Sequence, residues 1–238
     1  MKTLEGFEMS DQVNQMFSRI APRYDATNDA MSLGIHRLWR RSTVRVSGAK
    51  PGSTVLDCAS GTGDLAMAFK RVVGSGGHVK GTDFNPDMLA IARKKAAAAG
   101  LEVTYEVADA MKLPEADAAY DVASISFGIR NVDDPKVCVG ELARVVKPGG
   151  RVVVLEFGQP QGLFGFFFRP YARYVMPLIG QVLSGQRAAY EYLPRTAAAF
   201  PAGERFLAMM RETGRFETCE ARSLLSGLAY IYVGTVKA

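Results

Sequence analysis

A chain of 238 residues with 48% apolar and 22% charged side chains is long and apolar enough to bury one sizeable core, which excludes a disordered or fibrous chain and leaves length for a lid or an appendage. A formal net charge of +5 leaves nucleic acid, an anionic membrane surface or no charged partner open. Cys58, Cys138 and Cys219 lie far apart without CxxC or metal-ligand spacing, so they read as small buried apolar residues of a protein kept in a reducing cytoplasm, with no metal site.

The opening "MKTLEGFEMSDQVNQMF" lacks the apolar core of a signal peptide, and no run approaches the roughly 20 apolar residues of a spanning helix. Residues 1–50 read as a mostly helical lid segment. From residue 53 strands and helices alternate. "STVLDCA" reads as a buried strand and "DLAMAFKRVV" as a helix; "HVKGTD" is a second strand. "PDMLAIARKKAAAAG" is a helix with Pro86 at its start and Gly100 just past its end. "LEVTYEVAD" and "YDVASISF" are the third and fourth strands. "DPKVCVGELARVVKPGG" is a helix closed by a Pro-Gly-Gly turn, and "RVVVLEF" is the fifth strand. Apolar β-branched strands alternating with helices predict a doubly wound, mostly parallel sheet covered on both faces. "FETCEARSLLSGLAYIYVGTVK" carries two further strand-like runs joined near "SG", an antiparallel hairpin at the sheet edge. The expected whole is one Rossmann-like α/β domain with a seven-stranded sheet: lid 1–50, cofactor-binding core 51–158, a substrate- or membrane-facing insertion 159–203, and a last helix with the hairpin 204–238. No internal repeat is present.

The stretch "LDCASGTGD" holds the most informative loop. Gly61-x-Gly63-x-x-Ala66 fits the relaxed dinucleotide fingerprint, and Asp83 ends the second strand, where such folds bind a ribose hydroxyl. Yet Asp57 and Asp64 flank the glycines, and a pyrophosphate between two carboxylates would be repelled. A ligand with an ammonium and a sulfonium suits that charge, and S-adenosylmethionine has both. The plainer role of Asp64 is a helix N-cap. Asp109 and Ala110 follow the third strand, where a carboxylate and a backbone N–H can face adenine; a turn is the plainer role. Ser126 closes the fourth strand, next to where a reacting methyl group would sit.

"VLDCASGTGD", "GTDFNPDML", "ISFGIRNVDDP" and "RVVKPGGRVVVLEF" resemble the motifs of class I S-adenosylmethionine-dependent methyltransferases. With "MFSRIAPRYDATNDAMSLGIHRLWRR" at the front, the chain is similar to the UbiE/MenG family of quinone-biosynthesis C-methyltransferases from about residue 13 to its end. "ISFGIRN" is the most specific match. Ser60 stands where that family usually has glycine, a change that narrows the loop without excluding the cofactor. The resemblance implies Thr62, Asp83, Asp109, Ala110 and Ser126 as cofactor contacts; the loop argument adds Asp57, Gly61 and Gly63. It implies methyl transfer to a ring carbon of demethylmenaquinol, of a polyprenyl-methoxy-benzoquinol, or of both. The alternative is a class I methyltransferase acting on another small aromatic or lipid.

Methylation at carbon needs an electron-rich ring carbon, which a quinol supplies once a hydroxyl loses its proton, and a group that helps remove protons. Arg130 is essentially always protonated, so it suits electrostatic stabilisation or water orientation rather than direct base work. With Asn131 it forms the expected catalytic pair; a salt bridge to Asp133 or Asp134 is the plainer reading of the arginine. His36, one of two histidines, has a pKa suited to a general base, or it is structural. Tyr24 and Asp25 sit in the lid and close over the cofactor in this reading. Tyr190 and Tyr192 line the quinol pocket or fill core. "GLFGFFFRPYARYVMPLIGQVL", residues 162–183, is too interrupted to span a bilayer, but its apolar face with arginines suits weak peripheral contact with the inner face of the cytoplasmic membrane. A homodimer stays open.

Other classes fit less well. The glycine spacing allows a nicotinamide oxidoreductase, but Asp64 and the lack of a Tyr-x-x-x-Lys pair count against it. A nucleic-acid methyltransferase would need the Asn/Asp-Pro-Pro-aromatic motif, and "SFGI" stands in its place, so no nucleic-acid partner is expected. A non-catalytic quinone- or membrane-binding protein would have no use for an intact cofactor site.

Overall fold

The computed structural model describes residues 3–238, with side chains from residue 12 on; Met1 and Lys2, the start of the expected lid, lie outside the described residues. The lid comprises α1 (Thr3–Ile20), α2 (Tyr24–Ser32) and α3 (Ile35–Val46). The alternating core follows: β1 (Thr54–Cys58), α4 (Asp64–Val73), β2 (His78–Asp83), α5 (Pro86–Ala98), β3 (Thr104–Val107), β4 (Tyr120–Ser126), α6 (Pro135–Val145) and β5 (Val146–Phe157). The insertion holds α7 (Gly162–Pro170), α8 (Met176–Ser184) and α9 (Arg187–Ala199), and α10 (Glu204–Glu212) leads into β6 (Phe216–Leu224) and β7 (Ala229–Val236).

The sheet runs β3-β2-β1-β4-β5-β7-β6. β1 to β5 are parallel, whereas β7 is antiparallel to both β5 and β6. The chain therefore reverses its winding between β1 and β4, and the crevice beyond those strand ends is where doubly wound sheets take ligands. Strand residues alternate between two buried layers. Leu56, Ile125, Val152 and Val154 pack with Leu142, Phe206 and Met210 from α6 and α10. Val55, Val79 and Val122 pack with Phe69, Leu89 and Ala92 from α4 and α5.

Helix ends follow the residues that mark them. Asn85 caps α5, accepting from Met88 N at 2.9 Å, and Asp134 caps α6, accepting from Lys136 N and Val137 N. One boundary differs from expectation. The Pro-Gly-Gly stretch does not close α6 as a turn; it falls inside β5, where Val146 already pairs with Tyr120 and the register shifts before Val122 pairs with Arg151. The excess residues bulge out, as β-bulges do. Cys58 and Cys138 are buried, but Cys219, on the edge strand β6, is only half so.

The lid is fixed at both ends of the core. Asn85 Nδ2 donates to Asn14 Oδ1 at 2.6 Å and to Ser18 Oγ at 2.9 Å, tying α1 to α5. Trp39 of α3, 7% exposed, packs against Phe127 and Phe157 at centroid distances of 6.2 and 6.4 Å, sealing the end of β5.

Candidate active site

The glycine loop bridges β1 and α4 at the switch point. Asp57 is 1% exposed, and its two oxygens accept from Ser60 Oγ at 2.9 Å and Ser124 Oγ at 2.7 Å. Burial pushes its carboxyl up to about 6 against those hydrogen bonds. Asp83 closes the loop from the side: its oxygens accept from Gly61 N and Asn85 N, each at 2.8 Å, and burial raises it too. Gly61 has φ +57° and nothing within 4 Å of where a Cβ would stand, so its outer side is open. Gly63, at φ +84°, is the opposite, since a Cβ would strike the Tyr105 hydroxyl and Ala92.

The ends of β3 and β4 complete the crevice. Asp109 Oδ1 accepts from Met111 N at 2.8 Å, so it makes the expected turn while remaining half-exposed with Ala110. Ser126 Oγ is buried and has no hydrogen-bond partner among the described residues. The Tyr105 hydroxyl is likewise buried and unpartnered. Phe84, directly after Asp83, is 50% exposed. Neither Tyr105 nor Phe84 stood out in the sequence; a bulky apolar residue directly after the strand-ending acid was the available signal for Phe84. An orphaned serine, an open glycine face and two carboxylates held above their ordinary range are what a ligand with hydroxyls and positive charge would satisfy. These residues fit S-adenosylmethionine.

Three expectations change here. Asp64 is not the N-cap, a position taken by Gly63; it pairs with Lys95 at 2.6 Å and Arg40 at 3.5 Å, and these cations hold its carboxyl down despite burial. The loop's unneutralised negative charge thus rests on Asp57 and Asp83 alone. Thr62, expected to face the cofactor, is 3% exposed and donates to Asp25 Oδ1 at 2.6 Å. Lys95 also bonds Asp25, so Asp25, Thr62, Asp64 and Lys95 form a latch between lid and loop. Ser60, expected only to narrow the loop, also adds a hydroxyl donor to Asp57.

Arg130 and Asn131 lie on a short 3₁₀ turn just after β4. Arg130 does not pair with Asp133 or Asp134. Its Nη1 donates to Glu156 Oε1 at 2.7 Å and Phe127 O at 2.6 Å, with the two side chains 5% and 0% exposed. Its guanidinium lies 5.4 Å from the Phe157 ring centre. Tyr192 Oη donates to Asn131 Oδ1 at 3.1 Å, so α9 brings one expected substrate residue to one of the expected catalytic residues. Burial pushes the Tyr24 phenol up while the Arg40 and Arg130 guanidiniums pull it down, placing the lid tyrosine within their field. Tyr190 is elsewhere: it is 2% exposed, packed with Ile20, Met31 and Met176, and pressed against Gly180, so it is core rather than pocket wall. His36 is buried with both ring nitrogens engaged. Nε2–H donates to Asp29 Oδ1 at 2.8 Å and Nδ1 accepts from Arg40. Burial and Arg40 lower its pKa, so the ring is neutral near pH 7 but has no free lone pair, and it cannot serve directly as the base.

This strand order, the glycine loop after the first strand and the acid ending the second define a class I methyltransferase. The fold agrees with a solved S-adenosylmethionine-dependent methyltransferase of Methanococcus maripaludis, described as putative, at a TM-score of 0.66 and 19% identity, covering 93% of this chain and 94% of that one. A protein of Bdellovibrio bacteriovorus called ubiquinone/menaquinone biosynthesis C-methyltransferase UbiE is 51% identical over 94% of this chain and 96% of its own length. A demethylmenaquinone methyltransferase of Thermus thermophilus is 48% identical over 92% and 99%. The model of the ubiE/COQ5 methyltransferase family matches residues 7–236, and the chain belongs to that family.

Proposed function

We propose that this protein transfers a methyl group from S-adenosylmethionine to a ring carbon of a reduced, prenylated quinone precursor, either demethylmenaquinol, a polyprenyl-methoxy-benzoquinol, or both. What supports the reading is that Tyr192 holds Asn131 and Arg130 lies against Phe157, a wall of the cavity under the insertion. S-adenosylmethionine supplies an electrophilic methyl on a sulfonium. In the transfer the sulfur–methyl bond breaks, a carbon–carbon bond forms and the ring carbon gives up its proton.

Asp83 takes the ribose hydroxyls, while Asp57 sets a negative potential under the glycine loop. Ser126 meets the ligand with its free hydroxyl. Gly61 lets the loop approach closely, Gly63 keeps the loop packed on Tyr105, and Asp109 with Ala110 faces the adenine. Arg130 stays protonated and stabilises the phenolate that makes the ring carbon nucleophilic. Glu156 fixes the guanidinium, and Asn131, held by Tyr192, orients the ring hydroxyl. With both His36 nitrogens engaged, the ring proton leaves to water ordered by Arg130 and Asn131. His36 fixes Arg40 against Asp64 and steadies the lid, and Asp25 with Thr62 holds it over the cofactor. Tyr24 closes the same side.

The substrate lives in lipid, and α7 and α8 expose Leu163, Phe166, Phe167, Leu178 and Val182 beside Arg169 and Arg173. No helix among the described residues is long and apolar enough to cross a membrane. These helices rest peripherally in the headgroup layer on the cytoplasmic side. The test is methyl incorporation by mass spectrometry with reduced demethylmenaquinol in one arm and a reduced prenyl-methoxy-benzoquinol in the other. Methylation of either ring supports the reading and states which quinone it serves. Methylation of neither, with cofactor bound, overturns the substrate.

A further inference from the structure

We infer that the cavity between the α7–α9 insertion and the ends of β5 and β7 holds the first isoprene units of the substrate's tail, an inference that rests on the quinol reading above. The cavity encloses about 630 Å3, within the span of small-ligand pockets. Its inner end borders the catalytic pair. Phe157 lines it, stacks on Phe127 at 4.4 Å and lies under the Arg130 guanidinium. Arg195 also lines it and lies 5.8 Å from the centre of the Tyr192 ring, whose hydroxyl holds Asn131. A quinol ring seated at Arg130 and Asn131 would therefore point its ring substituent into this space.

The walls suit a hydrocarbon. Phe168, Ala172, Met176 and Leu193 line them, and the acidic group there, Glu191, is taken by Arg187 at 2.7 Å. Arg169 and Arg173 stand exposed at the rim, where cations match lipid phosphates rather than the tail. Beyond them the exposed Phe166 and Phe167 continue the apolar surface. A polyprenyl chain is too long for a cavity of this size. Only its proximal units lie inside, and the remainder leaves past the arginine rim into the bilayer.

The test measures kcat/KM in detergent micelles for the reduced ring carrying one or four isoprene units, with the wild-type protein and with Ala198→Trp, a substitution at an exposed lining position. The wild type is expected to prefer four units by about tenfold or more, and Ala198→Trp to abolish that preference while changing the one-unit substrate by less than about twofold. Equal values in the wild type, or a preference that survives Ala198→Trp, overturn the inference. If Ala198→Trp loses both substrates, the wild type's length preference alone decides. Methylation of the one-unit substrate without a length effect leaves the quinol reading standing and removes only the tail site; methylation of neither substrate by the wild type removes both.

Discussion

Asp57 titrates near 6 in the folded chain against an ordinary carboxylate value of 3.8. The folded state therefore holds the extra proton. Stability from this group is full below 3.8, falls as pH rises towards 6 and is flat above it. A bound cation prefers the ionised form, so cofactor affinity should rise as pH climbs through about 6 and then level. Asp57→Asn should flatten that profile, weaken the cofactor and stabilise the apoprotein at neutral pH by up to roughly 3 kcal/mol; calorimetry across pH 5–8 checks all three. The buried Arg130–Glu156 pair gives the second expectation at this scale. Glu156→Gln leaves a buried guanidinium without its counter-charge, and should cost about 3–5 kcal/mol in urea unfolding and lower kcat with little change in cofactor affinity. Unchanged stability would mean that the pair carries no such weight. Sequence reading placed Arg130 and Asn131 at the site but not Glu156. The pair lies 26 residues apart on adjacent parallel strand ends, and nearby Asp133 and Asp134 offered a closer partner on paper. Lys95 was missed for the same reason: it meets Asp64 only once α4 and α5 have packed, and Asp25 only once the N-terminal segment has folded onto them.

At the scale of elements, the expected lid and the insertion are fastened differently from the core. The lid's latch is partly exposed, with Lys95, Asp25 and Asp64 side chains at 28%, 36% and 30%, so solvent discounts its contribution to about 1 kcal/mol or less. Lys95→Ala should thus barely move the unfolding midpoint, yet weaken cofactor binding several-fold and speed limited proteolysis within residues 12–50. Equal proteolysis of the two proteins would sink the latch. The insertion makes a separate prediction. Flotation with anionic vesicles should recover the protein in the lipid fraction at low salt and less of it at moderate salt, and Phe166→Asp with Phe167→Asp should abolish recovery. No recovery of the wild type at either salt would contradict peripheral contact. The alternation of β-branched strands and capped helices made the core elements readable, α4 and β2 to the residue. The Pro-Gly-Gly stretch misled because local turn chemistry lost to pairing of Val146 with Tyr120. For Tyr190 the sequence left pocket wall and core both open, because an aromatic in a helix looks alike from sequence whether it faces core or cavity.

For the molecule as a whole, topology explains why cofactor and substrate come together. Reversal between β1 and β4 opens a crevice at the strand ends, where the glycine loop, Asp83 and Ser126 lie, and Arg130 and Asn131 follow on the turn after β4. The insertion adds a cavity between α7–α9 and the end of β5, lined by Phe157, Phe168, Met176 and Leu193. The sheet and the hairpin were legible because each depends on residues close in sequence or on strand-end position. The partners that tune them were not, since they depend on packing between lid, insertion and core. The most direct measurement offers demethylmenaquinone, reduced and unreduced, with methyl-labelled S-adenosylmethionine, and locates the label. The account predicts label on the ring carbon in the reduced arm alone. Label in the unreduced arm, or on a ring oxygen, would contradict a phenolate-activated carbon as the nucleophile.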